Sequence, residues 1–372
     1  MKIEDYLGAP GVTIDAPEDA DAALAFVMER KLGDGLPIVP PTPERVARML
    51  AFWDGPWDQP KGMFPPRNAV ITPLRVAANA VMAGCKPEYF PLVMLAIEAI
   101  CEPPFNLKGV QATTHPCTPV LIFNGPAARA VGVNSGHNAF GPGWQANATI
   151  GRAVRLAMNN IGGAIPGVVD MATMGTPGKY TFAVAENEAD SPWEPLNVEE
   201  GYDRDVTTVT VLGCEGPLNI NDHFSKDGLG ILTTVAGTVA NVGANNFHYK
   251  CEVVIALCPE HAQLVASAGY SKKDAKRFIF DNGKVPLGRF SRETADERFR
   301  KSDPARYGGA PDSTLVPIVQ DPEDIVLIVL GGPGKHSMYL PTFGATRAVT
   351  RPLRLSDGRY ARSVDEFRGA TP

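Results

Sequence analysis

Four short runs of almost unbroken apolar residues constrain this chain more than any other feature. They lie at residues 119–123, 207–212, 253–257 and 325–330 and are rich in Val, Ile and Leu. Three are followed directly by Asn or Gly and the fourth by Cys258-Pro259, and each is too short for a typical helix. A strand packed on both faces loses the in-out alternation of a half-exposed one, so the runs read as buried strands. Helical spacing fills the intervals. Residues 146–161 close at Gly162 and Gly163, 229–242 at Gly243, and 260–268 at Gly269; Ser271 caps a segment running to Asp281. The expected class is α/β, with mixed or parallel sheet layers built from repeated β-loop-α units.

The first hundred residues follow a different grammar. Apolar residues recur at helical spacing over 18–31, and Thr42-Pro43 and Thr72-Pro73 each place an N-cap before a first-turn proline. Pro87 opens a further helix reaching Ile100. The stretch 53–67, with Trp53, Trp57 and several prolines, reads as an ordered wrap. The predicted organisation is therefore a helical N-terminal lobe at 1–105, an α/β core at 106–356 and a polar tail at 357–372. A chain of 372 residues is long enough for more than one core.

Composition narrows the class of partner. The formal net charge is −6, without a block of Lys or Arg, which argues against nucleic acid and anionic membranes. No apolar run has the length of a bilayer span. The acidic start lacks a signal-like apolar segment, so a cytoplasmic location is expected. Six cysteines are scattered without a CxxC pair and read as free thiols. A small-molecule substrate and a homo-oligomer are the expected partners.

Three of the strands end in a Gly-Pro turn and then reach a histidine. Gly125-Pro126 precedes His137, Gly216-Pro217 precedes His223, and Gly332-Pro333 precedes His336. The first two continue into helices ending in Asn and then Gly, which suggests copies of one unit. Loops after strands at the carboxyl edge of an α/β sheet are where such folds bind ligands. Tight turns alone also account for the abundance of Gly and Asn there.

The chain has only six histidines, so their placement matters. His223, flanked by Asp222 and with Glu215 upstream, is the expected acid/base or metal ligand, oriented by those carboxylates. If His137, His223 and His336 converge, they can hold a divalent metal that activates water. No nucleotide cofactor is expected: the Gly141-Pro142-Gly143 segment does not follow a strand, and the Gly331–Ser337 segment lacks P-loop spacing. Cys117 with His115, and Cys214 beside Glu215, are alternative thiol nucleophiles, although a Cys on a strand also serves as a small apolar side chain. Lys335, Ser337, Arg152 and Lys179 are the expected anion-binding groups, with Asn134 and Asn221 as hydrogen-bonding partners of the substrate. His261, at a helix start, is read as structural and its replacement by Ala as near-neutral for turnover.

Four segments carry a resemblance: DGLPIVPPT at 34–42, AVMAGCKPEY at 80–89, ANATIGR at 146–152 and SPWEPL at 191–196. Together they resemble an uncharacterised bacterial family that accompanies UGSC-motif (seleno)proteins, themselves grouped with the glycine/betaine reductase selenoproteins. The similarity spans about residues 20 to 350. It implies, by analogy, thiol or reductive chemistry and a UGSC-type redox partner; this chain has no UGSC segment of its own, and no catalytic residues transfer. The expectation from the residues themselves is an enzyme, a hydrolase or lyase, cleaving or hydrating a bond in a small polar organic acid or amide-like substrate. The alternative is a thiol/redox-linked subunit.

Overall fold

The computed structural model describes residues 3–7, 9, 12–249 and 251–368. The principal helices are α1 (Ala20–Glu29), α2 (Pro43–Leu50), α3 (Pro73–Ala83), α4 (Phe90–Ile100), α5 (Gln145–Asn160), α6 (Gly228–Val239), α7 (Pro259–Ser267) and α8 (Lys272–Asn282). The strands of the two larger sheets are β1 (Thr118–Asn124), β2 (Ala183–Ala185), β3 (Thr208–Cys214), β4 (Leu218–Asn221), β5 (Val253–Leu257), β6 (Ile325–Val329), β7 (His336–Leu340) and β8 (Val349–Pro352). The fold is α/β, and all four expected strands are present. In β1, β3, β5 and β6 every residue is buried, which is why they carry apolar runs rather than alternation.

The chain divides into two compact units. The first holds residues 1–186, 197–213 and 348–372. Its sheet has the order β8-β3-β1-β2, with β1 parallel to β2 and β8 antiparallel to β3. Helix α4 is almost wholly apolar because it is buried nearly all round. The Thr72 side chain accepts a hydrogen bond from the Arg75 N–H, and α3 ends at Gly84 in the left-handed conformation, as Thr-Pro and Gly foretell.

The second unit holds residues 187–196 and 214–347. Its sheet has the order β6-β5-β7-β4; β6 runs parallel to β5, and β7 runs antiparallel to both of its neighbours. Helices α6, α7 and α8 supply Leu232, Val235, Ala262, Val265 and Ile279 to a core with Ile255, Leu257 and Leu327. Ser271 and Asp274 form a reciprocal capping box at the start of α8.

Two expectations are corrected. The compact units do not divide near residue 105: the N-terminal helices belong to the same unit as β1. The polar tail, as far as it is described, belongs to that unit too, with Val364 and Phe367 buried. Nor do the Gly-Pro turns start equivalent units. Gly125-Pro126 opens a short helix, Pro126–Ala130, whereas the other two turns lead into β4 and β7. Residues 218–221 alternate apolar and polar side chains, the period of a strand, and residues 336–340 pair with them in antiparallel register. Among the described residues no single helix is long and apolar enough to cross a membrane.

Candidate functional site

Strands β4 and β7 pair with His336 opposite Asn221, Ser337 opposite Ile220 and Met338 opposite Asn219. Side chains alternate between faces. Ile220 and Ser337 are therefore turned inward and buried, while Asn219, Asn221 and His336 stand exposed on the opposite face. The His336 Nδ1 lies 3.0 Å from Asn219 Oδ1. The amide oxygen only accepts, so Nδ1 carries the proton and Nε2 presents a lone pair. The Nε2 of His223 lies 3.1 Å from that Nε2. His223 consequently donates from Nε2, and its Nδ1 is the basic atom at the end of the chain. The two rings meet edge to face, with centroids 4.9 Å apart.

The loop carrying His223 is fixed by its neighbour. The buried Asp222 carboxylate accepts hydrogen bonds from the Phe224 N–H, the Ser225 N–H, the Ser225 hydroxyl at 2.7 Å and the Thr234 hydroxyl at 2.6 Å. Desolvation is the largest single influence on this carboxyl and acts upward. The bonds from Thr234, Ser225 and Phe224 together outweigh it and hold the group well below the usual carboxylate range. Lys335 closes the other side, its Nζ donating to the His223 carbonyl at 3.1 Å. Phe224 is 92 % exposed, unusual for a large apolar side chain beside a polar pair.

Two of the expected histidines are thus brought together. His137 belongs to the first unit, exposed on a loop where its carbonyl accepts from Asn134 and Trp144. Among the described residues no three His, Cys, Asp or Glu side chains are grouped to hold a metal ion; the pair itself offers two imidazole nitrogens.

Neither expected carboxylate orients the His223 ring. Asp222 spends its oxygens on the turn. The Glu215 N–H bonds to the Pro341 carbonyl, at the far end of β7 from His336, five residues or roughly 16 Å along a strand. The expected anion-binding groups divide as well. Arg152 makes a bidentate pair with Asp34 at 2.7 and 2.8 Å and also donates to the Leu36 and Pro37 carbonyls. Lys179 and Arg155 both bind the buried Asp170 at 2.7 Å. In both places burial pushes the carboxyl upward and the adjacent cations pull it below its ordinary value. These are internal ion pairs, occupied by their own carboxylates. Ser337 is buried and bonded to protein, while Lys335 and Asn221 remain beside the pair.

The thiols fit a packing role. Cys117, just before β1, and Cys214, the last residue of β3, are fully buried, where a small apolar group is accommodated. His115 is half-buried, with its N–H bonded to the Thr113 hydroxyl. Burial pushes Cys85, Cys101 and Cys251 up to about 12 and raises Cys258 as well.

Asn134 bonds the His137 carbonyl and the Gly136 N–H and receives Asn147 on its own backbone, so it builds a turn. Sequence reasoning missed the role of Asn219, whose signal is the Leu-Asn-Ile-Asn alternation. It also missed the buried contact of 2.7 Å between Asn124, the last residue of β1, and Glu186, just after β2, for which a strand-end Asn is the only sign. No protein-family model matches the chain, and no curated protein is significantly similar to it.

Proposed function

We propose that this protein is an enzyme whose reacting centre is the His223–His336 pair, acting as acid and base in the cleavage or hydration of a small polar organic acid or amide-like substrate. The observation that carries the reading is the 3.1 Å approach of the two Nε2 atoms, with His336 Nδ1 fixed on Asn219. Such a chain works as an oriented base. His223 Nδ1 takes a proton from the substrate or from water, and the charge that forms is shared toward His336 through the Nε2–H···Nε2 bond. In the reverse direction the same Nδ1–H protonates the leaving group. Orientation of a base by a second group is the arrangement that general-base catalysis requires. Lys335 adds a positive charge beside the pair, suited to a substrate carboxylate, and Phe224 offers an apolar surface.

The alternative of a thiol-based subunit draws less support, because a thiolate must form to react and four of the cysteines are pushed in the opposite direction. The test is turnover of a panel of small carboxylic acids and primary amides by the full chain, with products identified by mass spectrometry. His223→Ala and His336→Ala should each abolish conversion while melting within a few degrees of the parent. Full activity in either variant ends the proposal.

A further inference from the structure

Both histidines of the pair sit next to a residue held by one buried imidazole. His261, in the first turn of α7, is completely inaccessible to solvent. Its Nδ1 lies 2.7 Å from the Ser337 hydroxyl and its Nε2 lies 3.0 Å from the Asp222 carbonyl oxygen. Ser337 adjoins His336 on β7, and Asp222 adjoins His223. The protons along this path are determined by chemistry. A carbonyl only accepts, so Nε2 carries the hydrogen; Nδ1 then accepts from the Ser337 hydroxyl. The same hydroxyl accepts from the Cys258 N–H at 3.0 Å. Every polar atom on the path has a partner, and each partner has only one role open to it.

We propose that His261 is the positioning residue of the site: a neutral imidazole of fixed tautomer that ties the His223 loop to the His336 strand and so sets the approach of their Nε2 atoms. The inference rests on the reading of the pair as the reacting centre, and it changes the expectation for His261 from neutral filler to a determinant of that centre. Three separate elements meet at this ring: the loop after β4, strand β7 and helix α7. Two other bonds join the His223 loop to the start of β7, the Asp222 N–H to the Lys335 carbonyl at 3.4 Å and the Lys335 Nζ to the His223 carbonyl at 3.1 Å; the His261 bridge adds side-chain bonds that lie wholly in the interior. A buried hydrogen bond in a low-dielectric setting is stronger and more directional than an exposed one, so the interior link governs the spacing.

The groups facing His261 are the Asp222 carboxylate, Lys335 and Glu260. Burial is the dominant influence and opposes protonation, so the ring stays neutral and keeps an acceptor at Nδ1. If the ring were charged, Nδ1 would become a donor, and the Ser337 hydroxyl would have to turn its proton elsewhere.

The test reads the pair directly. In the full chain labelled with 15N-histidine, two-bond 1H–15N correlation spectra report the tautomer of each imidazole. The parent should show His336 as the Nδ1–H form and His223 as the Nε2–H form. In His261→Phe, both signals should shift toward the averaged tautomers of solvent-exposed imidazoles, and turnover should fall about 10- to 100-fold, as for loss of an orienting outer partner. His261→Gln, whose amide can accept from Ser337 and donate to Asp222, should restore part of both readouts. A purely structural role would lower the melting temperature and leave the tautomers of the folded protein unchanged; that result overturns the proposal. If His261→Phe does not fold, Ser337→Ala cuts one half of the bridge, and unchanged tautomers in that variant overturn it equally. Tautomers that depend on His261, together with full activity in His223→Ala, would leave the positioning intact and remove only the catalytic reading.

Discussion

Asn219 and His336 are diagonal neighbours across two antiparallel strands, and their 3.0 Å contact fixes which nitrogen of the imidazole is basic. The residue directly opposite His336 is Asn221, yet the bond goes to the amide two residues back along β4. Period-two alternation puts both amides on one face, and the diagonal is within reach of a long side chain. Asn219→Ala should therefore lower kcat/KM about 10- to 100-fold while costing less than about 0.5 kcal/mol of stability, as for exposed sites generally. Asn219→Asp, which keeps the acceptor, should retain more activity than the Ala variant. Steady-state kinetics beside thermal melting check both statements.

Acid should act on this protein in two stages, each with its sign set by a shifted group. Burial depresses the protonation of His261 in the folded state. The unfolded chain takes up that proton near pH 6.5, whereas the folded chain resists it. The contribution is neutral above that pH and turns against folding as pH falls below it. Asp222 is held below its ordinary range, so its stabilisation is present above about pH 4, the unfolded value, and is lost as pH falls further. Melting temperature followed from pH 8 to pH 3 should fall in both intervals. His261→Gln should flatten the upper one, and Asp222→Asn the lower. An unchanged upper interval in the Gln variant would contradict the assignment.

The buried trio of Asp170, Arg155 and Lys179 is an internal lock rather than a substrate site. Asp170→Ala leaves two cations buried without their shared anion and should cost about 3–5 kcal/mol. Lys179→Met keeps the Arg155 pair and should cost less, with no change in KM for any carboxylate substrate. Chemical denaturation and kinetics on the same preparations decide this.

Gly125 and Gly331 both have φ in the left-handed region, at 92° and 95°, but only the first is also crowded. A Cβ on Gly125 would lie 2.6 Å from the Val206 carbonyl oxygen and the Thr207 Cα, whereas nothing lies within 4 Å of the corresponding position on Gly331. Gly331→Ala should cost about 1 kcal/mol, the backbone penalty alone. Gly125→Ala should cost at least about 3 kcal/mol, because rigid backbone must move. Equal melting temperatures would refute the distinction.

The elements were legible because their signals are local. Short runs of five or six residues, apolar or rich in β-branched side chains, marked β1, β3, β5 and β6, and Thr-Pro and Ser caps marked the helix starts. The pairing of the His223 loop with β7 was only half legible. The Gly-Pro turn before each histidine was visible, but sequence spacing gives no information on which of two exposed strands lies beside another. The supposed equivalence of the three turns hid the direct pairing of β4 with β7. Arg152 and Lys179 were misread for a general reason. A cation near a glycine-rich segment suggests an anion site, and its partner, Asp34 in one case and Asp170 in the other, is far away or unremarkable in sequence. Asp222 is expected from the sequence to orient His223, but adjacency along the chain does not place a carboxylate on a ring. The hydroxyls of Ser225 and Thr234 reach it first.

Lys335 carries the last prediction, because it separates binding from proton transfer. Its Nζ donates one hydrogen bond to the His223 carbonyl, and an ammonium has three donors in all. The remaining capacity faces the same half-exposed region as the pair, where a substrate carboxylate would find the positive charge. A charge that attracts ground state and transition state alike changes KM more than kcat. Lys335→Met keeps the length of the side chain and removes the charge. It should raise KM for a carboxylate substrate about tenfold, equal to about 1.4 kcal/mol, with kcat changed less than about threefold. For an uncharged amide of similar size KM should hardly move. The difference should shrink in high salt, since the site is open to solvent. A fall in kcat with KM unchanged for both substrates would mean that Lys335 acts on the His223 loop through its bond to the carbonyl, and the anion-binding role would be withdrawn.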